Sequence, residues 1–401
     1  MENVVIKQGS IESIVLNQNL GRCFAGSYSG KRVLVTGDTG FKGAWLCEWL
    51  HALGAQVTGF SLGPPTAPSL FNQLNLSHRI NHITGDIRDL AQISTAVTQI
   101  MPHFVFHLAA QSLVRKSYTH PVETYATNVM GTVNVIDSVR SSFPDNITAD
   151  QGFCTLIVVT TDKCYENKEW VYAYREEDPI GGFDPYSSSK GAAELIVAAY
   201  RKSYFTGPRA RVKLASVRAG NVIGGGDWAV DRIVPDCIRD LQAGIPISIR
   251  NKNSRRPWQH VLEPLSGYLW LGALLSDQTL LAKSSLQPTE LAGPFNFGPS
   301  PNSNRTVSEL VTEILKHWPG TWFESPNSSN LHEAHLLSLA TDKAYHSLKW
   351  QPVWEFNEAI SRTVIWYRRA TSPNPQLALL TLQQITDYIS AARSHKEPWA
   401  S

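Results

Sequence analysis

The sequence lacks the features of a disulfide framework, a structural zinc site or a membrane span. Its five cysteines are odd in number and scattered, and none forms a Cys-x-x-Cys pair. Such usage is typical of reduced thiols in a cytosolic protein. The chain contains no run of 18 apolar residues, and its first 30 residues do not combine a basic start with an apolar stretch. We therefore expect a cytoplasmic protein that binds neither a metal nor a membrane.

An excess of charge of one sign is also missing. The formal net charge is +2, from 36 basic and 34 acidic residues. Nucleic-acid surfaces usually need a concentrated basic face, so this balance argues against a nucleic-acid partner. With 401 residues, of which 42% are hydrophobic, the chain can bury the core of one large domain or of two ordinary ones.

Short apolar runs alternate with helical patterns along the first half of the chain. The predicted strands are 32–36, 56–62, 82–86, 104–110, 155–161 and 212–218. The predicted helices between them are 46–53, 91–100, 121–140 and 187–205. This alternation is typical of a parallel sheet that helices cover on both faces. The predicted fold is therefore α/β, with a Rossmann-like, doubly wound parallel sheet.

The alternation weakens after about residue 220, which indicates a second, smaller unit. We predict an N-terminal extension at 1–30, the Rossmann-like domain at 31–218, a mixed α/β domain at 219–380 and a C-terminal tail at 381–401. These boundaries are approximate, and strands of the two domains can interleave. Open α/β sheets bind ligands at the carboxyl ends of their strands, so we expect the smaller domain to cover that edge.

A glycine-rich loop with the spacing GxxGxxG lies between the first strand and the first helix. Glycines let the backbone turn sharply and approach a pyrophosphate, whose charge then rests on the helix N-terminus. The alternative is glycine that serves packing alone; the position in a βαβ unit favours dinucleotide binding. The cofactor contacts predicted here are Gly37, Thr39, Gly40, Phe41, Lys42 and Gly43.

Two features leave the choice between NAD and NADP open. The second strand ends without the acidic residue that usually holds the adenosine ribose. Asp38 lies inside the loop, where it should repel phosphate unless it turns away or binds a ribose hydroxyl, and Lys42 offers a compensating charge. Asp86, followed by Ile87, either holds the adenine or caps a helix.

A tyrosine and a lysine at YxxxK spacing supply the candidate reaction centre. Tyr186 and Lys190 fall on one face of the predicted helix. An ammonium beside a phenol favours the phenolate, which would lower a pKa that is about 10 in free tyrosine. The phenolate can then take a proton from an alcohol while hydride leaves the same carbon. Thr161, at the end of the fifth strand, is placed to bond the same alcohol; the alternative is a structural tyrosine with a solvated lysine.

With these motifs, the chain resembles the extended short-chain dehydrogenase/reductase family and, within it, the CDP-glucose 4,6-dehydratases. The resemblance covers about 31 to 355. The matching stretches are 36–43, 107–115, 127–132, 161–167, 184–191, 218–228 and 256–261. It implies an NAD-binding domain, with NADP not excluded, followed by a domain that binds a nucleotide sugar.

The resemblance also implies a reaction, the conversion of CDP-D-glucose to CDP-4-keto-6-deoxy-D-glucose and water by internal hydride transfer. Asp162 would protonate the departing C6 hydroxyl, and Lys163 would either take the C5 proton or orient Asp162. One alternative for the pair is an exposed, salt-linked turn. An epimerase or 4-reductase of the same fold would need Tyr186 and Lys190 but not this pair. A regulatory protein without turnover commonly loses the tyrosine or the lysine, and both are present.

The remaining site residues follow from the resemblance and from their places after strands. Asn221 and Arg256 would contact the substrate phosphates, with Arg232 a weaker candidate. Further candidates for the hexose or nicotinamide are Gln111, Ser112 and Arg115, and for the cofactor Leu108, Ala109 and Ala110. The resemblance also suggests a homodimer or homotetramer, joined through helices of the cofactor domain that include the one near Tyr186.

Overall fold

The computed structural model describes residues 20–144, 152–207, 210–277, 279–280, 288–325 and 336–401. Residues 1–19 of the predicted extension lie outside this range. Seven parallel strands form the central sheet, in the order β11-β6-β5-β4-β1-β2-β3. Their bounds are Arg32–Thr36 (β1), Gln56–Ser61 (β2), Asn81–Thr84 (β3), Phe104–His107 (β4), Cys154–Val159 (β5), Val212–Arg218 (β6) and Pro294–Asn296 (β11). The predicted fold class and the six predicted strands are confirmed.

Among the described residues of the second half, short strands form three further pairs. They are Val222–Ile223 (β7), Ile247–Ile249 (β8), Arg255–Pro257 (β9), Gln259–His260 (β10), Asn304–Thr306 (β12) and Trp322–Glu324 (β13). β10 pairs with β7, β12 with β9, and β13 with β8. The second half is therefore mixed α/β, as predicted.

Helices lie between the strands and in the C-terminal part. The described segments contain α1 to α13, which are Phe41–Ala52, Leu70–Gln73, Leu90–Ile100, Val114–Thr119, Pro121–Tyr125, Gly131–Ser142, Pro185–Tyr204, Ile233–Ala243, Leu262–Ser276, Pro288–Leu291, Val307–His317, Phe356–Ala370 and Leu377–Ser394. The helix predicted at 121–140 is instead α5, a π-helical turn at Ala126–Met130, and α6. In the described segments, no helix combines the length and apolar character that crossing a bilayer requires.

Alternating strand residues send their side chains to opposite faces of the sheet, so the core has two halves. On one face, α3, α6 and α7 pack on the strands through Leu34, Val105, Leu156, Leu214, Ile93, Val97, Val135, Val139 and Val197. On the other face, α1, α9 and α13 pack through Val33, Val35, Phe106, Ile157, Trp45, Trp49, Leu265, Leu269, Ile385 and Tyr388. α1 is buried on nearly all sides, which is typical of an internal helix.

The seventh strand, β11, comes from the part of the chain assigned to the second domain. It pairs in parallel with β6, with Phe295 opposite Val217. A strand of three residues has too short a hydrophobic pattern to be predicted from the sequence. β11 is stabilised by its burial against β6 and not by a local preference for strand. The domain boundary at residue 218 stays a prediction. Strands from both before and after this residue belong to the central sheet.

Both described ends of the chain belong to the core. Phe24 stacks on Trp399 with ring centroids 5.1 Å apart, and Trp399 stacks on Tyr388 of α13 at 5.7 Å. The Tyr28 hydroxyl donates to the carbonyl of Leu269 at 2.6 Å. The described part of the predicted extension, residues 20–30, therefore meets the predicted tail inside the fold, and α13 runs continuously across the boundary predicted at 380.

We expect the substitution Trp399→Ala to lower the free energy of unfolding by about 3–5 kcal/mol, because it empties a buried aromatic stack. Urea denaturation followed by circular dichroism measures this change. Phe323→Ala is the matched control, since the Phe323 side chain is 50% exposed and should change stability by less than about 0.5 kcal/mol. Equal losses in the two variants would contradict the role of the stack.

Candidate active site

The glycine-rich loop after β1 makes a cradle that side chains would fill. Gly37 has a left-handed φ of 79°, and a Cβ there would lie 2.7 Å from the backbone nitrogen of Ala109. A Cβ at Gly43 would lie 2.1 Å from the Gly37 carbonyl oxygen. α1 starts beside Gly40, and no described side chain caps it. Its first N–H groups are therefore available to an anion, as a bound pyrophosphate requires.

Asp38 turns away from this cradle. Its buried carboxylate accepts hydrogen bonds from the Ser61 hydroxyl at 2.8 Å and from Nδ1 of His82 at 2.7 Å. It lies over β2, where a Cβ on Gly59 would meet it at 2.0 Å. The structure shows that Asp38 turns towards β2, and the contact of its carboxylate with a ribose hydroxyl stays a prediction. His82, rather than the predicted Lys42, provides the compensating partner.

Asp86 does not cap the following helix. Asp89 does, by accepting hydrogen bonds from the backbone nitrogens of Ala91 and Gln92. Asp86 instead binds the Arg88 guanidinium at 2.5 Å, which lowers the pKa of its carboxyl. The capping alternative is therefore wrong, and the adenine contact of Asp86 stays a prediction.

Thr161, Asp162 and Tyr186 form one hydrogen-bonded cluster at the carboxyl end of β5. The Thr161 hydroxyl donates to Oδ1 of Asp162 at 2.8 Å and also hydrogen-bonds the Tyr186 phenol. Asp184 caps α7 by accepting from the backbone nitrogen of Ser187 at 3.0 Å, which places Tyr186 in the first turn of that helix. The Tyr186 phenol and the Asp162 carboxylate therefore lie beside the same hydroxyl group, that of Thr161.

The Asp162–Lys163 pair is not an exposed turn, because Asp162 is fully buried. The Lys163 amino group lies 3.9 Å from Oδ1 of Asp162, and the Lys163 side chain is 32% exposed. Oδ2 of Asp162 is buried with no hydrogen-bond partner among the described residues. The pair thus joins a buried carboxylate to a lysine that solvent reaches.

Burial decides the pKa values of the YxxxK pair. It raises the pKa of Tyr186 to about 12, more than the hydrogen bond with Thr161 lowers it. It lowers the pKa of Lys190 to about 8, against the opposing charge of Glu194. Lys190 donates to the carbonyl of Val159 at 3.2 Å. The predicted lowering of the tyrosine pKa is therefore wrong in direction, because taking the phenolate out of water costs more than its neighbours return.

Lys42 lies close enough to two further cationic groups, Lys190 and Arg232, and to the Asp162 carboxylate for their charges to act on it. Lys42 comes from the glycine loop, Lys190 from α7, and Arg232 immediately precedes α8. The pKa of Lys42 is lowered to about 8, first by burial and then by the positive charges of Arg232 and Lys190, while Asp162 opposes the shift. This concentration of positive charge suits a substrate or cofactor that carries phosphates.

Ser112 and Arg232 lie together, although they are 120 positions apart in the sequence. The Arg232 guanidinium donates to the Ser112 hydroxyl at 3.1 Å and to Oδ2 of Asp227 at 2.8 Å. Its positive charge also acts on the Tyr186 phenol. Arg115 is 3.6 Å from Asp231, the residue before Arg232. These contacts join the loop after β4 to the start of α8, beside the reaction centre.

The other predicted substrate residues have different surroundings. The Gln111 side chain points inward, where its amide nitrogen donates to the Leu113 carbonyl at 3.1 Å and to the Thr124 hydroxyl at 3.0 Å. Asn221 has a left-handed φ of 50°, and its Nδ2 has no hydrogen-bond partner among the described residues. Arg256 lies on β9 and donates to the carbonyl of Arg255 at 2.8 Å. An unpartnered amide donor at Asn221 fits its predicted phosphate contact.

Asn128 is a positioning residue that the motif analysis did not identify. It lies in the π-helical turn, a feature frequent at functional sites. Its amide accepts from the Gln111 backbone nitrogen at 2.8 Å and donates to the Ser189 hydroxyl at 2.9 Å. Asn128 therefore fixes the loop after β4 against α7. The stretch 127–132 matches the family, but its residue types indicate no reaction, so the sequence did not reveal this role.

A buried ion pair stands behind Lys190. Glu194, one turn further along α7, accepts from the Arg218 guanidinium at 2.9 Å, the Ser216 hydroxyl at 2.8 Å and the Thr160 hydroxyl at 2.5 Å. These bonds hold the carboxyl ends of β5 and β6 against α7. In the described segments, no group of three histidine, cysteine or acidic side chains could hold a metal ion.

Comparisons with known proteins agree with this geometry. The model of the GDP-mannose 4,6 dehydratase family matches residues 34–278. A CDP-glucose 4,6-dehydratase of Salmonella typhimurium is 44% identical over 369 residues, which cover 91% of this chain and 98% of that protein. A dTDP-D-glucose 4,6-dehydratase of Mus musculus is 27% identical over 86% of this chain and 90% of its own length.

Solved structures share the fold at low identity. A UDP-glucose 4-epimerase of Thermotoga maritima with UDP-glucose superposes with a TM-score of 0.68 at 20% identity, over 85% of this chain and 100% of that one. A dTDP-glucose 4,6-dehydratase of Bacillus anthracis in complex with NAD has a TM-score of 0.67 at 19% identity, over 88% of this chain and 100% of that one. Both similarities concern the fold alone.

Proposed function

The chain belongs to the GDP-mannose 4,6-dehydratase family, and we propose that it converts CDP-D-glucose to CDP-4-keto-6-deoxy-D-glucose and water. The observation that carries this proposal is the hydrogen-bonded cluster of Tyr186, Thr161 and Asp162. Oxidation of a sugar alcohol needs the tyrosine, whereas removal of water also needs an acid beside it. An epimerase or 4-reductase does not remove the C6 hydroxyl, so its reaction does not need a carboxyl group beside the tyrosine.

NAD is the proposed cofactor, and the loop fits it. Gly37, Gly40 and Gly43 leave space for a dinucleotide because they lack side chains, and a Cβ at these positions would lie too close to the backbone. The Asp38 carboxylate faces away from this space. Leu108, Ala109 and Ala110 follow β4 at the same edge, and NAD occupies the matching fold in the Bacillus anthracis dehydratase. When bound, NAD supplies a hydride acceptor for C4 of the hexose and a hydride donor for C6, and its positive ring favours the Tyr186 phenolate.

The chain's own residues move the protons. Tyr186 takes the O4 proton as C4 is oxidised, and Thr161 bonds the same oxygen. The new ketone makes the C5 hydrogen acidic. Asp162 then protonates the departing C6 hydroxyl, and Lys163 takes the C5 proton, so that water leaves across C5 and C6. Lys163 can return that proton to C5, and NAD, when bound, would supply the hydride for C6, so that the whole reaction would leave no net oxidation of the cofactor.

We expect the purified protein, given CDP-glucose, to yield a product lighter by one water without net formation of NADH. Mass spectrometry of the nucleotide sugar and absorbance at the NADH band measure the two quantities. dTDP-glucose and GDP-mannose should react more slowly. An unchanged mass with an altered sugar would indicate an epimerase, and net cofactor consumption would indicate a reductase.

Two substitutions separate the steps of this reaction. Tyr186→Phe should abolish hydride transfer, because the O4 proton then has no acceptor. Asp162→Asn should leave C4 oxidation in place but slow the loss of water by roughly 100-fold or more, the usual contribution of a general acid. Rapid mixing with CDP-glucose shows the first step as transient NADH and the second as product. Equal loss of both steps in Asp162→Asn would refute its role as the acid.

We also propose that the chain is a homodimer that pairs through α5, the π-helical turn and α7. This surface exposes apolar side chains: Val122 (81%), Tyr125 (41%), Met130 (54%), Leu195 (63%) and Tyr204 (52%). Exposed apolar groups along packed helices are typical of protein interfaces.

We also propose a cytoplasmic location, because all five cysteines are buried free thiols. Recovery of the protein in a membrane or secreted fraction would contradict this location.

Light scattering after gel filtration should give twice the mass of one chain. Leu195→Glu should shift the protein to monomer, because it puts a charge into the apolar interface. Phe323→Glu, at a side chain of similar exposure elsewhere, is the control and should leave the mass unchanged. A monomeric wild type, or a Leu195→Glu variant that stays dimeric, would reject this interface.

A further inference from the structure

Gly220, between β6 and β7, lies directly against the buried carboxylate of the site. A Cβ at this position would lie 1.8 Å from Oδ2 of Asp162 and 2.2 Å from its Cγ. Its φ is not among the left-handed glycine values, so an alanine could adopt this backbone conformation. The absence of a side chain is therefore required by the space that Asp162 occupies and not by the turn of the chain.

The backbone of Gly220 cannot easily retreat from the carboxylate. Its carbonyl accepts a hydrogen bond from the buried amide of Gln259 at 3.1 Å, and the same amide donates to the Phe297 carbonyl at 3.1 Å. The pairing of β10 with β7 sets Gln259 opposite Val222, two residues beyond Gly220. Gly220 is thus tied to two strands and to the segment after β11.

The carboxylate is held equally firmly from the other side. Thr161 donates to Oδ1 of Asp162 at 2.8 Å, and the Lys163 amino group lies 3.9 Å from the same oxygen. With Gly220 behind Oδ2, the carboxylate occupies the place left between Gly220 and Thr161. That place is beside the Thr161 hydroxyl, which also bonds the Tyr186 phenol.

We propose that Gly220 is a positioning residue for Asp162: the missing side chain provides the space that keeps the carboxylate beside Thr161 and Tyr186. This inference rests on the proposed function, in which Asp162 is the acid that protonates the leaving hydroxyl. A methyl group at Gly220 would push the carboxylate aside, and a misplacement of about 1 Å at a reacting group can cost 100-fold in rate.

The first test measures the two chemical steps in Gly220→Ala. C4 oxidation, seen as transient NADH, should stay within about threefold of wild type, while loss of water slows by roughly 100-fold. Gly298→Ala is the matched control: it follows β11 at the same edge of the sheet, and a Cβ there would meet Cβ of Leu339 at an ordinary 3.4 Å. Its kinetics should be unchanged. Equal slowing of both steps in Gly220→Ala, or wild-type rates, would overturn the proposal.

The second test needs no substrate and uses a double-mutant cycle in melting temperature. Gly220→Ala should lower the melting temperature by about 2–5 °C in the wild-type background, because it overpacks the site. In the Asp162→Ala background the new methyl group has room, so the loss should vanish. An equal loss in both backgrounds would show that Gly220 does not meet Asp162. If wild type fails to dehydrate CDP-glucose while this coupling is present, the proposed function fails and the contact stands.

Discussion

The parallel pairing of the strands places every part of the site at one edge of the sheet. Because the strands run in the same direction, the segments after β1, β4, β5 and β6 all leave from their carboxyl ends. The glycine loop follows β1, and the Thr161–Lys163 turn follows β5. Strand direction therefore brings the glycine loop and the Asp162 carboxylate to the same edge of the sheet, although they are far apart in the sequence.

Desolvation sets the chemistry within that edge. Tyr186, Lys190 and Asp162 are all buried, and the charge of Asp162 acts on the Tyr186 phenol through little water. Burial favours the neutral forms of the phenol and the amines, which is why the pKa of Tyr186 rises and that of Lys190 falls. The positive charge of Arg232 works in the opposite direction on the phenol and lowers its pKa.

Support for the site comes from residues that touch no reacting atom. Asn128 joins the loop after β4 to α7, and Glu194 joins α7 to β5 and β6 through Arg218. Arg218 also donates to the Tyr165 hydroxyl at 2.7 Å, which in turn donates to Asn296 of β11 at 2.8 Å. Through this chain of bonds the C-terminal part of the protein holds the turn that carries Asp162.

The sequence by itself determined the alternation of strands and helices, the glycine loop, the YxxxK pair and the family, because each of these is a pattern of neighbouring residues. It could not determine that Asp38 turns to His82, that burial raises the pKa of Tyr186, that β11 completes the sheet, or that Gly220 meets Asp162. Those facts depend on groups far apart in the chain and on how much water remains between them. Only tertiary packing sets both quantities, since distance and desolvation are properties of the folded molecule.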